Sequence, residues 1–340
     1  MLLKKLVGNR KKEKEKERAF LENGSKVLEK LVASCNGRPI PIRTFSYEEL
    51  SRATNNFDHR LVLDKHLWYI LYKGSFEGRT ISVKKYEMLE STEELDFPFT
   101  DIAISAKMSP HKNALKLLGC CLETRFPILV LESVENGTLK DRICASSDDE
   151  AQQKLRPMAW QSRLKIAREI AHAIAYLHTA FSRPIIHRDI QPHNIFFDQH
   201  DVPKLSDFSI SVSIPEGETH VEDLVHGTYG FACPQHVATG RVTERSDVYG
   251  FGMLLLQLIT GQPSKNMCSH PSLANCIRNN AINEIVDPAI LAGEGGAGVE
   301  WQLLAVLELV LICRNEDSEL RPNMVDVTKE LRRIEKSVVV

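Results

Sequence analysis

Cysteine is the first residue type to test for chemistry, because its spacing separates metal ligands from disulfides and bystanders. The eight cysteines stand at 35, 120, 121, 144, 233, 268, 276 and 313, and no pair has the short gap of a metal-binding knuckle. Cys120 and Cys121 are adjacent. They read as reduced thiols of an intracellular protein. Denser polar chemistry lies elsewhere. Ile185 to Asn194 reads IIHRDIQPHN, Asp207-Phe208-Ser209 follows, Ser246 to Gly252 reads SDVYGFG, and Arg321-Pro322 comes late. Ahead of them Phe45 to Phe57 reads FSYEELSRATNNF.

IIHRDIQPHN resembles the protein-kinase catalytic loop H-R-D-L-x-x-x-N, and Asp207-Phe208-Ser209 sits where D-F-G belongs. FSYEELSRATNNF is similar to the segment leading into the kinase domain of plant receptor-like kinases. Motifs in this order, from Phe45 to Pro322, imply an α+β, bilobal protein-kinase fold with a β-rich N-lobe and a helical C-lobe. Within the family the chain most resembles a group of plant receptor-like cytoplasmic pseudokinases, related to wall-associated kinases. Members of that group partner a coiled-coil NLR immune receptor and let it sense bacterial effectors acting on other kinases. The short charged N-terminus, a chain with no ectodomain and the pattern of lost motifs carry this narrower match.

Phosphoryl transfer rests on positioning and charge stabilisation, so each part can be audited. Counting back from Tyr72-Lys73-Gly74, the three glycine positions of the phosphate-covering G-x-G-x-x-G are Asp64, His66 and Tyr69. Glycine lets backbone amides approach phosphate without an intervening side chain. Tyr69 adds bulk there and Asp64 adds negative charge. Ile81-Ser82-Val83-Lys84 resembles V-A-I-K, which makes Lys84 the nucleotide-binding lysine. Its expected glutamate on the next helix has no good match. Asp101 is the nearest acid, one carbon shorter, and reaching it takes a one-residue insertion, so it counts as degenerate. Ser82 replaces a small apolar roof residue of the adenine site, and Phe196 a leucine of its floor.

In the catalytic loop the resemblance makes Asp189 the vestigial base, with Asn194 and Asp207 as the Mg²⁺ ligands. Gln191 stands where serine/threonine kinases usually place a lysine. Losing one preorganised donor at a reacting centre costs about 10²–10³ in rate. Ser209 replaces the glycine that gives its turn freedom. Gln235 replaces the glutamate that would pair with Arg321, so the arginine is expected to find other acceptors. Residual ATP and Mg²⁺ binding stays open, with no cofactor required. Similar plant kinases carry hydroxyl residues where this chain has Glu222 and Asp223. That acidic pair is expected to offer Arg188 a permanent negative partner in place of phosphate and to form part of a partner surface.

These residues need elements to hold them. Short apolar runs near 61–72, 79–85, 115–122 and 127–132 read as strands. Ser46 with Glu49 three residues on reads as a helix N-cap. From Trp160 helical spacing dominates, with Ile166, Ile170, Ala173, Ile174 and Leu177 on one face. The expected division is a charged N-terminal extension at 1–42 with a short amphipathic helix, an N-lobe at 43–132 and a C-lobe at 133–336. The linker is expected near Leu131 to Gly137.

The net charge of -2 argues against nucleic acid as a partner. Residues 1–18 hold eight basic and three acidic side chains, a charge pattern that suits either solvent or an anionic surface. No uncharged run is long enough to span a bilayer. The expected function is a catalytically impaired adaptor in plant innate immunity, linking an NLR receptor to effector-modified receptor-like cytoplasmic kinases. The alternative is a low-activity ATP-dependent protein serine/threonine kinase. The expected location is the cytoplasm, with plasma-membrane association through partners.

Overall fold

The computed structural model describes residues 2–35, 42–87, 96–143, 158–263, 273–279, 281–292 and 297–337. The chain forms two compact units. The first is Met1–Asn136 with Asp198–Val202 and Ser206–Ser209, and the second is Gly137–Phe197, Pro203–Leu205 and Ile210–Val340. The division falls between Asn136 and Gly137. Two short returning segments join the first unit, which a linear division of the sequence cannot show.

The first unit is built on a six-stranded sheet. Its strands are β1 (Arg43–Thr44), β2 (Val62–Lys65), β3 (Tyr69–Phe76), β4 (Arg79–Tyr86), β5 (Leu117–Cys121) and β6 (Ile128–Glu132), in the order β1-β5-β6-β4-β3-β2. The run expected near 61–72 is two strands, because the His66 amide donates to the Tyr69 carbonyl at 2.9 Å and closes a turn. Glu77 (φ 49°) and Gly78 (φ 75°) make the two-residue turn between β3 and β4, with both φ values positive as tight hairpins prefer.

The lead-in segment belongs to this unit. Ser46 caps α2 (Tyr47–Ala53) in a reciprocal capping box with Glu49, as the spacing predicts. Phe45 is buried with Leu50, Tyr72, Ile81 and Val130. β1 runs parallel to β5, with Arg43 opposite Gly119. A Cβ on Gly119 would lie 2.2 Å from the Arg43 carbonyl oxygen, so only glycine admits this approach.

The N-terminal extension differs from expectation. It is one helix, α1 (Leu2–Cys35), and not a short one. It packs on α3 (Phe97–Met108) within the same unit. Asn23 and Val27 are buried, while Leu21 and Leu28 remain 65% and 63% exposed. The Asn23 side-chain amide donates to the Leu122 and Thr124 carbonyls at 3.0 and 2.8 Å. Lys30 reaches Asp96 at 2.9 Å. A polar residue thus fixes the docking face, so α1 is part of the first unit.

The second unit is helical. Its helices are α4 (Leu139–Ile143), α5 (Trp160–Thr179), α6 (Pro234–Thr239), α7 (Glu244–Thr260), α8 (Leu273–Arg278), α9 (Pro288–Leu291), α10 (Ala297–Cys313) and α11 (Met324–Lys336). Three small ribbons accompany them: β7 (Ile185–Ile186) with β10 (Val212–Ser213), β8 (Ile195–Phe197) with β9 (Pro203–Leu205), and β11 (Val221–Glu222) with β12 (Arg241–Val242). The predicted apolar face of α5 is buried, and α5 packs against α7 and α11. Among the described residues no helix is long and apolar enough to cross a membrane.

Candidate functional site

The first unit holds a charge cluster around Lys84. Strand register creates it: Tyr69 lies opposite Tyr86 and Leu71 opposite Lys84, so Tyr69, Lys84 and Tyr86 share one face of the sheet. The Lys84 ammonium donates to Asp101 Oδ2 at 2.7 Å and to Asp207 Oδ1 at 2.8 Å. The ion pair that the sequence left in doubt forms with Asp101 despite its shorter side chain. Its other donors explain why. Tyr86 donates to Oδ2 at 2.8 Å, and Ser105 and the Phe208 amide donate to Oδ1, each at 3.1 Å. Four donors fix the shorter side chain where a single contact would leave it loose.

Lys84 is 2% exposed and Asp207 5%. Burial alone would lower the Lys84 pKa, yet the two carboxylates raise it above the ordinary lysine value. Burial alone would raise Asp207, but Lys84, His66 and the Ser209 hydroxyl hold it below the usual carboxylate range. Tyr86 is driven well above 10 by burial and by both aspartates. The Tyr69 ring covers the ammonium, its centre 3.9 Å from Lys84 Nζ, and the ring is 2% exposed. His66 stacks on Tyr69 at 5.0 Å, and Asp64 precedes it at the end of β2. Asp64, His66 and Tyr69 thus surround one turn, and Tyr69 turns its ring onto Lys84.

Ser209 Oγ donates to Asp207 Oδ1 at 2.7 Å. That oxygen also accepts from Lys84. Ser82 also bonds locally, accepting from the Val134 amide at 3.3 Å.

The second unit holds the catalytic-loop residues. Asp247 of α7 anchors them, accepting from the His187 and Arg188 amides, each at 2.8 Å, and contacting His178 Nε2 at 2.8 Å. These bonds hold Arg188 at φ 74°, a left-handed conformation that is uncommon for a side chain of this size. Asp189 Oδ2 accepts from Gln191 and Asn194, each at 2.8 Å, and its Oδ1 accepts from the Thr228 amide at 2.9 Å. Gln191 Nε2 also donates to Thr228 Oγ1. Among the described residues, every donor to the Asp189 carboxylate is an uncharged amide.

Each unit holds one of the residues assigned to Mg²⁺. In the second unit Asn194 Oδ1 is buried with no hydrogen-bond partner and would suit a cation. In the first, Asp207 Oδ1 accepts from Lys84 and Ser209. Among the described residues no group of three or more His, Cys, Asp or Glu side chains is arranged for a metal.

Arg188 takes only half of the acidic pair. Its guanidinium donates to Asp223 Oδ2 at 2.6 Å, to the Leu224 and Ile210 carbonyls, and meets His236 Nε2 at 3.1 Å. Glu222 is exposed and sits opposite Arg241 in the β11–β12 ribbon, one position too early to reach Arg188. Arg321 finds other acceptors, as expected: the Asn315 carbonyl at 2.8 Å, the Arg245 carbonyl at 3.2 Å, Cys233 Sγ at 3.1 Å and Gln235 Oε1 at 2.5 Å.

Sequence reasoning missed Tyr86, Ser105 and Thr228. Tyr86 was within reach of strand alternation, two residues past Lys84. Ser105 lies one helical turn beyond Asp101, a relation visible only once α3 is placed. Thr228 has no local signal.

Residues 72–329 match the protein kinase domain family. Three proteins of Arabidopsis thaliana are similar along nearly the whole chain. They are the serine/threonine-protein kinase ZRK1 (42% identical, 99% of this chain and 97% of the relative), the non-functional pseudokinase ZED1 (40%, 96% and 99%) and the non-functional pseudokinase ZRK2 (38%, 96% and 93%). With that match and the geometry of Lys84, Asp101, Asp189 and Asp207, the chain belongs to the protein kinase family and, within it, to the group of ZED1-related kinases and pseudokinases.

Proposed function

We propose that the chain is a catalytically impaired adaptor in plant innate immunity, linking a coiled-coil NLR receptor to effector-modified receptor-like cytoplasmic kinases. It works in the cytoplasm and reaches the plasma membrane through those partners. The observation that carries the catalytic half of this reading is Gln191. Its neutral amide bridges Asp189 and Thr228 at the place where a cation would meet the transferring phosphoryl group. The loop keeps its bonding and lacks its charge. An adaptor needs the first property alone, since a rigid scaffold presents a surface whether or not it turns over. Two similar proteins named non-functional pseudokinases support the reading. The receptor and the modified kinase rest on the family resemblance.

The second reading is a slow protein serine/threonine kinase that binds ATP and Mg²⁺ through Lys84, Asn194 and Asp207. The intact Lys84–Asp101 pair and a relative named a serine/threonine-protein kinase favour it. A radiolabelled phosphate-transfer assay on the full chain separates the two. The adaptor reading expects background transfer, the same for the wild-type chain and Asp189→Asn. A clear rate that falls in that variant overturns it. Affinity purification from plant tissue, with an NLR and a receptor-like cytoplasmic kinase recovered together, tests the partners.

A further inference from the structure

We propose that the Tyr69 ring is an internal stand-in for phosphate, closing the Lys84 site to nucleoside polyphosphates, and that displacing the ring opens this site. The proposal deepens the impaired-kinase reading and rests on it.

Lys84 has three N–H donors. Two go to Asp101 and Asp207, and the third direction is covered by the Tyr69 ring face, 3.9 Å from the ammonium. An aromatic face attracts a cation and gains strength when both are desolvated. Here the lysine and the ring are each 2% exposed. The ring is itself held in place. His66 stacks on it with planes 15° apart, and Tyr86 meets it edge-on at 5.9 Å across the β3–β4 pair. A phosphate oxygen seeking Lys84 meets carbon where a backbone amide would welcome it.

Charge adds to this. One ammonium already faces two carboxylates at 2.7 and 2.8 Å, so the buried group carries an excess negative charge before any ligand arrives. A di- or triphosphate would add to that excess, with Asp64 close by on β2. Ser209 further occupies the Asp207 oxygen that binds Lys84. Lys84, Asp101 and Ser209 together tie down the Asp207–Phe208 segment from within the unit.

The test is titration of the full chain with a fluorescent ADP analogue, in EDTA and in Mg²⁺, for wild type, Tyr69→Phe, Tyr69→Leu and Tyr69→Ala. Phenylalanine keeps the ring; leucine keeps buried volume without a ring face, in case alanine does not fold. The expected result is no saturable binding at about 1 mM for wild type and Tyr69→Phe, with at least about tenfold tighter binding in Tyr69→Leu or Tyr69→Ala. Amine labelling read by peptide mass spectrometry should find Lys84 protected in wild type and reactive in Tyr69→Leu. Saturable wild-type binding equal to that of the ring-free variants overturns the proposal, as does a folded Tyr69→Leu chain with no gain. If wild type binds the analogue yet transfers no phosphate, only the role of Tyr69 fails and the adaptor reading stands.

Discussion

Arg188 and Asp223 are joined by a 2.6 Å ion pair in which the arginine side chain is almost wholly buried and the aspartate is not. The pair ties Asp223 to the catalytic loop, a tie that phosphate makes in kinases switched by modification. Asp223→Asn should therefore raise hydrogen exchange across residues 210–232, and Glu222→Gln should leave it unchanged. Equal effects from the two substitutions would refute a clamp specific to Asp223.

The same arginine makes the segment sensitive to acid. Burial and the neighbouring Arg188 cation lower the His236 pKa below 6.5, with Asp223 and His226 as the other charged or titratable neighbours. A histidine shifted this way binds fewer protons folded than unfolded. Its contribution is complete above about pH 6.5 and is lost as pH falls toward the folded value. Exchange in 210–240 should rise on acidification through that window, and His236→Gln should flatten the response.

Breaking the Lys84 cluster should cost more than any surface change. Lys84→Met leaves Asp101 and Asp207 buried without their cation, a loss of about 3–5 kcal/mol. Urea unfolding measures it. A joint Lys84→Met, Asp101→Leu change should recover part of the loss, because one stranded charge goes with its partner.

These predictions depend on what sequence could and could not disclose. The Ser46–Glu49 cap and the strands from Arg79 onward were legible because a few adjacent residues determine them. The Asp101 contact was not, since it depends on where α3 begins and on Tyr86, Ser105 and Phe208 arriving from separate parts of the chain. The acidic pair was legible as charge, but the choice of Asp223 over Glu222 comes from strand alternation in a two-residue ribbon. Helical spacing in α1 marked an apolar face, whereas the docked face is set by Asn23 and two distant carbonyls.

Asn23 offers a direct check on that last point. Asn23→Ala removes a buried hydrogen bond to Leu122 and a part-buried one to Thr124, a loss of about 1–2 kcal/mol. Exchange should rise along α1 before the sheet itself opens. Leu28→Ala, at an exposed position, should change little.

Gln235→Glu should return a charge-assisted partner to Arg321. The change also removes the amide that donates to the Glu316 carbonyl. The net gain should be about 1 kcal/mol, seen as a higher melting temperature. A lower one would mean that the neutral acceptors already satisfy the arginine.

β1 has a practical consequence for anyone trimming the chain. Its two residues blanket the free border of β5, and Gly119 is hollowed to admit them. A fragment cut to the stretch that matches the kinase family, beginning at Tyr72, would bare unpaired amides and the slot vacated by Phe45. Such a naked margin recruits strands from neighbouring molecules, so the trimmed protein should clump where the longer one stays dispersed.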